Sequence, residues 1–166
     1  MRLEAMAVTI PHVEGHPNRV AFEGVLTVVN AASDKAPAGA RGHRVILTRE
    51  AAEHALPSLL GMAVDYRPGW DGHDARRKIG LLTEANLVGH RLMVHGYLYA
   101  RDFPDVAGEI AASSPNALGM SYELADARVE DMRADVWKLT RVTFTGAAIL
   151  LRNKAAYRAT SFRMAS

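Results

Sequence analysis

The stretch Val20-Ala21-Phe22-Glu23-Gly24-Val25-Leu26-Thr27-Val28-Val29 decides the architecture. It is rich in β-branched side chains, which suit extended backbone. Its apolar residues fall at odd and even positions alike, so both faces of the strand are partly apolar. Such a strand belongs inside a barrel or sandwich rather than on an open sheet with one wet face.

The segments around it fit that reading. Residues 31–42, AASDKAPAGARG, are small, with Pro37 and two glycines, and read as a mobile loop. A short strand is expected at Arg44–Leu47, then a helix through AAEHALPSLL, with Thr48 as its N-cap and Glu50 in its first turn. Pro57 should kink or end that helix, and Gly61 suits the position just past it. Met62–Val64 resumes strand character before a polar loop, DYRPGWDGHDARR, which starts at Asp65. Ile79–Leu82 and Leu92–Tyr99 read as an antiparallel pair turning at Val88-Gly89-His90. DFPDVAGEIAASSP reads as a second helix with Pro104 in its first turn. Leu118–Leu124 and Val136–Phe144 are two more strands, and a separate apolar run, Ala147–Leu151, ends in the basic loop Arg152-Asn153-Lys154. The predicted class is α+β: a mostly antiparallel β-barrel core with peripheral helices. One domain is expected over residues 1–166, with an N-terminal arm to about residue 19 and a flexible polar tail over 158–166.

Composition sets the outer limits. With 166 residues, 49% of them hydrophobic, the chain is long enough for one real core. It has no cysteine, which excludes disulfides, thiolate nucleophiles, iron–sulfur clusters and Cys-based zinc sites. No run approaches eighteen apolar residues and no signal-peptide core is evident, so a reduced, cytoplasmic setting without membrane contact is expected. Twenty basic residues against 18 acidic ones give little electrostatic pull towards nucleic acid.

Two segments could carry chemistry. In Gly119-Met120-Ser121-Tyr122-Glu123-Leu124, strand alternation sends Met120, Tyr122 and Leu124 to one face and Gly119, Ser121 and Glu123 to the other. A hydroxyl and a carboxylate then stand roughly 7 Å apart along one face, with open space expected beside Gly119. On the residues alone, a solvent-facing Ser and Glu on an amphipathic strand is the simpler account. In Gly69-Trp70-Asp71-Gly72-His73-Asp74, a histidine sits between carboxylates in a loop, and imidazole is the side chain best suited to take a hydroxyl proton near neutral pH. A solvated loop histidine describes the same residues. His12 and His16 are four apart, but Pro11, Gly15 and Pro17 oppose a helix there, and no metal site is expected. Neither the G-x-S-x-G, S-x-x-K nor P-loop pattern occurs. Trp70 and Tyr66 beside Arg67, Arg76, Arg77 and Lys78 could form a nucleic-acid face, although a structural tryptophan in a basic loop also fits.

Taken in order, GHD before KIG, then GYLYARDFPDVA, LGMSYEL and FTGAAILLRNKAAY, the chain from Phe22 to Tyr157 resembles the prohead (capsid maturation) proteases of tailed bacteriophages. These share the herpesvirus assemblin fold, a β-barrel ringed by helices. The resemblance implies a serine nucleophile at Ser121, a histidine base at His73 and an oxyanion site at backbone amides of Arg152 and Asn153, without metal or cofactor. Family members often add a third His or acid on the strand after the serine strand. Here that stretch is Arg141-Val142-Thr143-Phe144-Thr145, which has neither. The orienting group is then Glu123, with Asp71 and Asp74 next in line, or a dyad works alone. Implied substrates are phage capsid and scaffold proteins, cleaved inside the assembling procapsid in the host cytoplasm; self-association into a homo-oligomer is left open. The rival readings are a non-catalytic assembly protein on the same barrel and a small barrel for single-stranded nucleic acid.

Overall fold

A computed structural model describes Val8–Thr9 and residues 16–165. His12 and most of the expected N-terminal arm lie outside these residues. In chain order the elements are β1 (Val8–Thr9), β2 (Val20–Val28), β3 (Arg44–Leu47), α1 (Arg49–Ala55), β4 (Ala63–Asp65), β5 (Lys78–Val88), β6 (Arg91–Leu98), α2 (Pro104–Ala112), β7 (Leu118–Val129), β8 (Val136–Leu151) and β9 (Ser161–Met164). Short 3-10 turns follow α1 at Leu56–Leu59 and β8 at Arg152–Lys154. The class is α+β, as expected.

Local chemistry explains the boundaries. The Thr48 hydroxyl accepts the Ala51 N–H at 3.2 Å and caps α1. Pro57 tightens the chain into the 3-10 turn, and Gly61 follows at φ 75°, a left-handed conformation that a side chain would strain. Gly89, at φ 60°, makes the turn between β5 and β6.

The nine strands among the described residues form one sheet in the order β3-β8-β4-β5-β6-β2-β9, with β7 added to β8 and β1 to β5. Most pairs are antiparallel, but β3 and β4 both run parallel to β8, so the sheet is mixed. It curls until β9 meets β7, where the Met120 N–H donates to Thr160 Oγ1 at 3.2 Å. The enclosed core includes Leu26, Leu82, Val94, Met120, Phe144 and Ile149, all essentially solvent-free.

Three expectations change. Residues 161–164, placed in a flexible tail, are strand β9, in register with β2 from Phe22↔Met164 to Val25↔Ser161. An edge strand needs only one buried face, and Phe162 supplies it against Phe22 at 4.9 Å between ring centroids. The loop of residues 31–42 is partly tied down: buried Ser33 Oγ accepts the Val45 N–H at 3.0 Å, and Ala32 bridges to Ile46. The two runs 136–144 and 147–151 are a single 16-residue strand, β8. Thr145 is extra in its pairing with β7, because Leu124 faces Phe144 whereas Glu123 faces Gly146. This β-bulge moves the inward positions from Val142 and Phe144 to Ala147 and Ile149. The alternation breaks where the strand does not.

Tyr122 meets Phe144 edge-on at 5.4 Å, and the Tyr157 hydroxyl is 3.0 Å from the Val45 carbonyl. Burial pushes the Tyr157 phenol up to about 12 and that of Tyr122 up as well. Raised folded-state values mean that both rings favour the fold while neutral, and that this contribution fades as pH climbs from the unfolded value, about 10, through the folded ones. An alkaline tyrosinate titration should therefore show these two phenols ionising together with loss of structure. Replacing Phe162 with Ala should cost about 3 kcal/mol in denaturant unfolding, whereas a loose tail would give no change.

Candidate active site

The site is built on the outer face of β8, on the side opposite the core. Ala148 pairs with Asp65 of β4 on one side and with Ser121 of β7 on the other. Paired residues project from the same face, so Asp65, Ala148 and Ser121 form one row across three strands. Strand spacing puts the outer two about 10 Å apart. The adjacent row pairs Gly146 with Glu123. A Cβ at Gly146 would stand 3.3 Å from Glu123 Cβ and 3.4 Å from its Oε2, so the missing side chain is what lets this carboxylate lie inward across β8. Ala148 and Gly146 make a low floor between taller polar walls.

The loop between β4 and β5 covers this floor. Arg67-Pro68-Gly69-Trp70 turns sharply, with the Trp70 N–H donating to the Arg67 carbonyl at 2.8 Å and Gly69 at φ 89°. The Trp70 carbonyl then accepts the Leu151 N–H at 2.7 Å, and its indole N–H donates to Glu109 Oε2 of α2 at 2.9 Å. Trp70 is buried beside Tyr66. The Asp74 N–H donates to Asp65 Oδ1 at 3.2 Å. Between these anchors the loop lowers His73 onto the floor.

His73 Nδ1 lies 3.0 Å from Glu123 Oε1 and 3.6 Å from Asp65 Oδ1. Both contacts fall off the hydrogen-bond direction, and both ring nitrogens are sealed from solvent without an aligned partner among the described residues. One imidazole nitrogen therefore faces two carboxylates, while the other, Nε2, is unengaged. Asp65 is nearly sealed, with 7% of its side chain exposed, whereas Glu123 is 53% exposed.

The fold thus brings His73 and Glu123 together, with Ser121 on the face and strand that carry Glu123. Asp71 and Asp74, the other candidate orienting groups, are occupied elsewhere. A hydrogen bond from Arg67 at 2.7 Å holds the Asp71 carboxyl below its usual range, and the Arg76 N–H, with the Arg76 and Arg77 guanidiniums, does the same for Asp74. Asp65 is the acid that sequence reasoning missed. The sequence places it first in the loop, yet it closes β4, and only the parallel register with β8 reveals that it points at the histidine.

The space expected beside Gly119 is filled. A Cβ there would run into the Thr160 hydroxyl and stand 3.2 Å from Arg152 Cα. Glycine at 119 therefore lets the chain after β8 pack against the serine strand. The Arg152 N–H, expected to hold an oxyanion, is already donated to the Ala117 carbonyl at 2.9 Å, and its guanidinium Nε to the Arg158 carbonyl at 2.6 Å. Asn153 comes next in a 3-10 turn, whose leading N–H groups have no partner within the turn itself. Asp65, His73 and Glu123 each offer one atom within 4.8 Å of the others, a potential metal-ligating set that no spacing along the chain disclosed. Trp70, the ring expected to stack among these basic residues in a nucleic-acid face, is buried, and Arg67, Arg76 and Arg77 contact Asp71 or Asp74.

The curled mixed sheet with its two helices among the described residues is an α+β fold of the assemblin type, as its likeness to a solved viral protease shows. Among solved structures, the chain is similar to KSHV protease, determined in complex with a hexapeptide phosphonate inhibitor. The TM-score is 0.56 at 14% identity, over 89% of this chain and 65% of that one, so the chain spans less than two thirds of the viral protein's length. No family model matches the sequence, and the curated proteins contain no significant match.

Asp65 separates structural from electrostatic roles. Asp65→Asn keeps an oxygen for the Asp74 N–H, whereas Asp65→Ala leaves that partly buried donor without its partner and should cost about 1 kcal/mol more in denaturant unfolding.

Proposed function

We propose that this chain is a serine endopeptidase of the assemblin type. The observation that carries the reading is the asymmetric setting of His73, with Nδ1 against two carboxylates, one of them Glu123 two residues along the strand from Ser121, and Nε2 sealed and unengaged. A general base for a hydroxyl nucleophile needs this division: carboxylates hold the proton on Nδ1 and stabilise the imidazolium that forms, leaving the Nε2 lone pair to accept the serine proton. The likeness of the fold to a protease solved with a peptide-based inhibitor supports the same reading.

In this mechanism Ser121 Oγ attacks the scissile carbonyl as His73 Nε2 takes its proton. His73 returns that proton to the leaving amine, and water completes hydrolysis of the acyl-enzyme by the same route. Asp65 is the fixed orienting acid and Glu123 the mobile one, because only Asp65 is buried and tied to backbone. The Asn153 N–H is the donor offered to the oxyanion. Following the resemblance to prohead proteases, the proposed substrates are scaffold and capsid-protein segments inside the phage procapsid, bound as extended chains.

A non-catalytic assembly protein is the second reading, favoured by the commitment of the Arg152 N–H to Ala117. One experiment separates the two. Fluorophosphonate labelling followed by mass spectrometry should mark Ser121, and cleavage of scaffold protein should vanish in Ser121→Ala. His73→Ala should lower kcat by about 10²–10⁴-fold with the fold intact by circular dichroism. Labelling at another residue, or normal turnover by Ser121→Ala, defeats the peptidase reading.

A further inference from the structure

We propose that Asp65, His73 and Glu123 form a zinc site, and that the bound ion switches the hydrolytic centre off by taking the lone pair of His73 Nδ1. The silencing half rests on the serine-peptidase reading; the binding half does not.

The geometry fits zinc. Tetrahedral Zn²⁺ with bonds of about 2.0–2.2 Å sets neighbouring ligand atoms roughly 3.3–3.6 Å apart. His73 Nδ1 is 3.0 Å from Glu123 Oε1 and 3.6 Å from Asp65 Oδ1, close to those edges, and all three atoms lie within 4.8 Å of one another. An ion seated among them needs only small side-chain shifts. Glu123, the most exposed of the three, can make them.

The chemistry fits as well. With a neutral imidazole, the cluster carries two negative charges, which one divalent ion balances. Buried Nδ1 has no aligned hydrogen bond, and a buried polar atom without a partner is unfavourable until something binds it. One imidazole with two carboxylates suits zinc, whereas magnesium needs a more complete oxygen shell. Arg76 and Arg77, the nearest cations along the loop, are held by Asp74.

Silencing follows from the two ring nitrogens. Catalysis needs the neutral ring protonated on Nδ1, so that the Nε2 lone pair can accept the serine proton. Zinc on Nδ1 requires the other tautomer, with the proton on Nε2, which then has no lone pair to accept the serine proton. The same ring cannot serve both states, so metal and turnover exclude each other without any movement of the fold.

The test titrates zinc chloride into the full chain by isothermal calorimetry in a non-chelating buffer. One ion per chain is expected, with Ser121→Ala unchanged and Glu123→Gln and His73→Ala each weaker by at least about tenfold. Circular dichroism checks each variant, and Glu123→Gln, at an exposed position, keeps the test open if His73→Ala does not fold. Absence of binding, or binding unaltered in both variants, overturns the proposal. Fluorophosphonate labelling of Ser121 should fall in step with zinc occupancy and return with EDTA; cleavage that rises with zinc overturns the silencing. Labelling that is absent even without zinc removes the peptidase reading and the silencing with it, and the calorimetry then decides the site alone.

Discussion

Two carboxylates facing one ring nitrogen is the contact on which the site depends. Asp65 and Glu123 repel each other across a short gap that is largely closed to water on the Asp65 side, and like charges in such places are costly unless a donor or cation stands between them. His73 stands there. Its Nδ1 is the atom both acids approach, at 3.0 Å from Glu123 and 3.6 Å from Asp65. Remove the imidazole and the two carboxylates keep only the Asp74 N–H, on Asp65, and solvent, on Glu123, to offset their repulsion. The histidine is thus a requirement of the site's electrostatics.

That contact exists because one strand reaches three neighbours. Over its 16 residues, β8 pairs with β3, β4 and β7, so segments far apart in the chain meet on its outer face. Its composition changes where the site begins. Before the Thr145 bulge, the inward residues are bulky Val142 and Phe144; after it come Gly146, Ala147 and Ala148. The bulge reverses which residues face the core, and the small residues lower the outer surface, so that an imidazole can lie on the sheet. A larger residue at Gly146 would first displace Glu123, because that carboxylate occupies the missing side chain's place.

How much of this was legible in the sequence depended on how local the physics was. The alternation in LGMSYEL put Ser121 and Glu123 on one face, because strand geometry is a property of consecutive residues. The glycines around His73 signalled a tight turn for the same reason. Asp65 was not legible, since its role comes from the register of a three-residue parallel strand against β8, and nothing within the chain's own spacing encodes that pairing. The 136–151 strand was split in two because a bulge imitates a break in periodicity. The final strand was lost because one buried Phe162 among polar neighbours is a weak signal until Phe22 is known to sit opposite. Gly119 was misjudged from the opposite direction: a glycine marks a close approach, but not which atoms do the approaching.

The anchoring of the histidine loop bears on how such a site is controlled. A mobile base-bearing loop would keep an enzyme idle among its own substrates, and the glycines in RPGWDGHDARR invite that idea. The contacts run the other way. The loop is fastened through the Trp70 carbonyl to Leu151, through the indole to Glu109, through Asp74 to Asp65 and internally through Arg67 to Asp71. Each fastening removes freedom from the segment that carries His73; under the peptidase proposal this fixes the base before substrate arrives. The loop cannot be loosened cheaply, since the buried indole and the Asp74 N–H would lose their partners together. Under that proposal, control is easier to apply at the ring itself than through disorder of the loop.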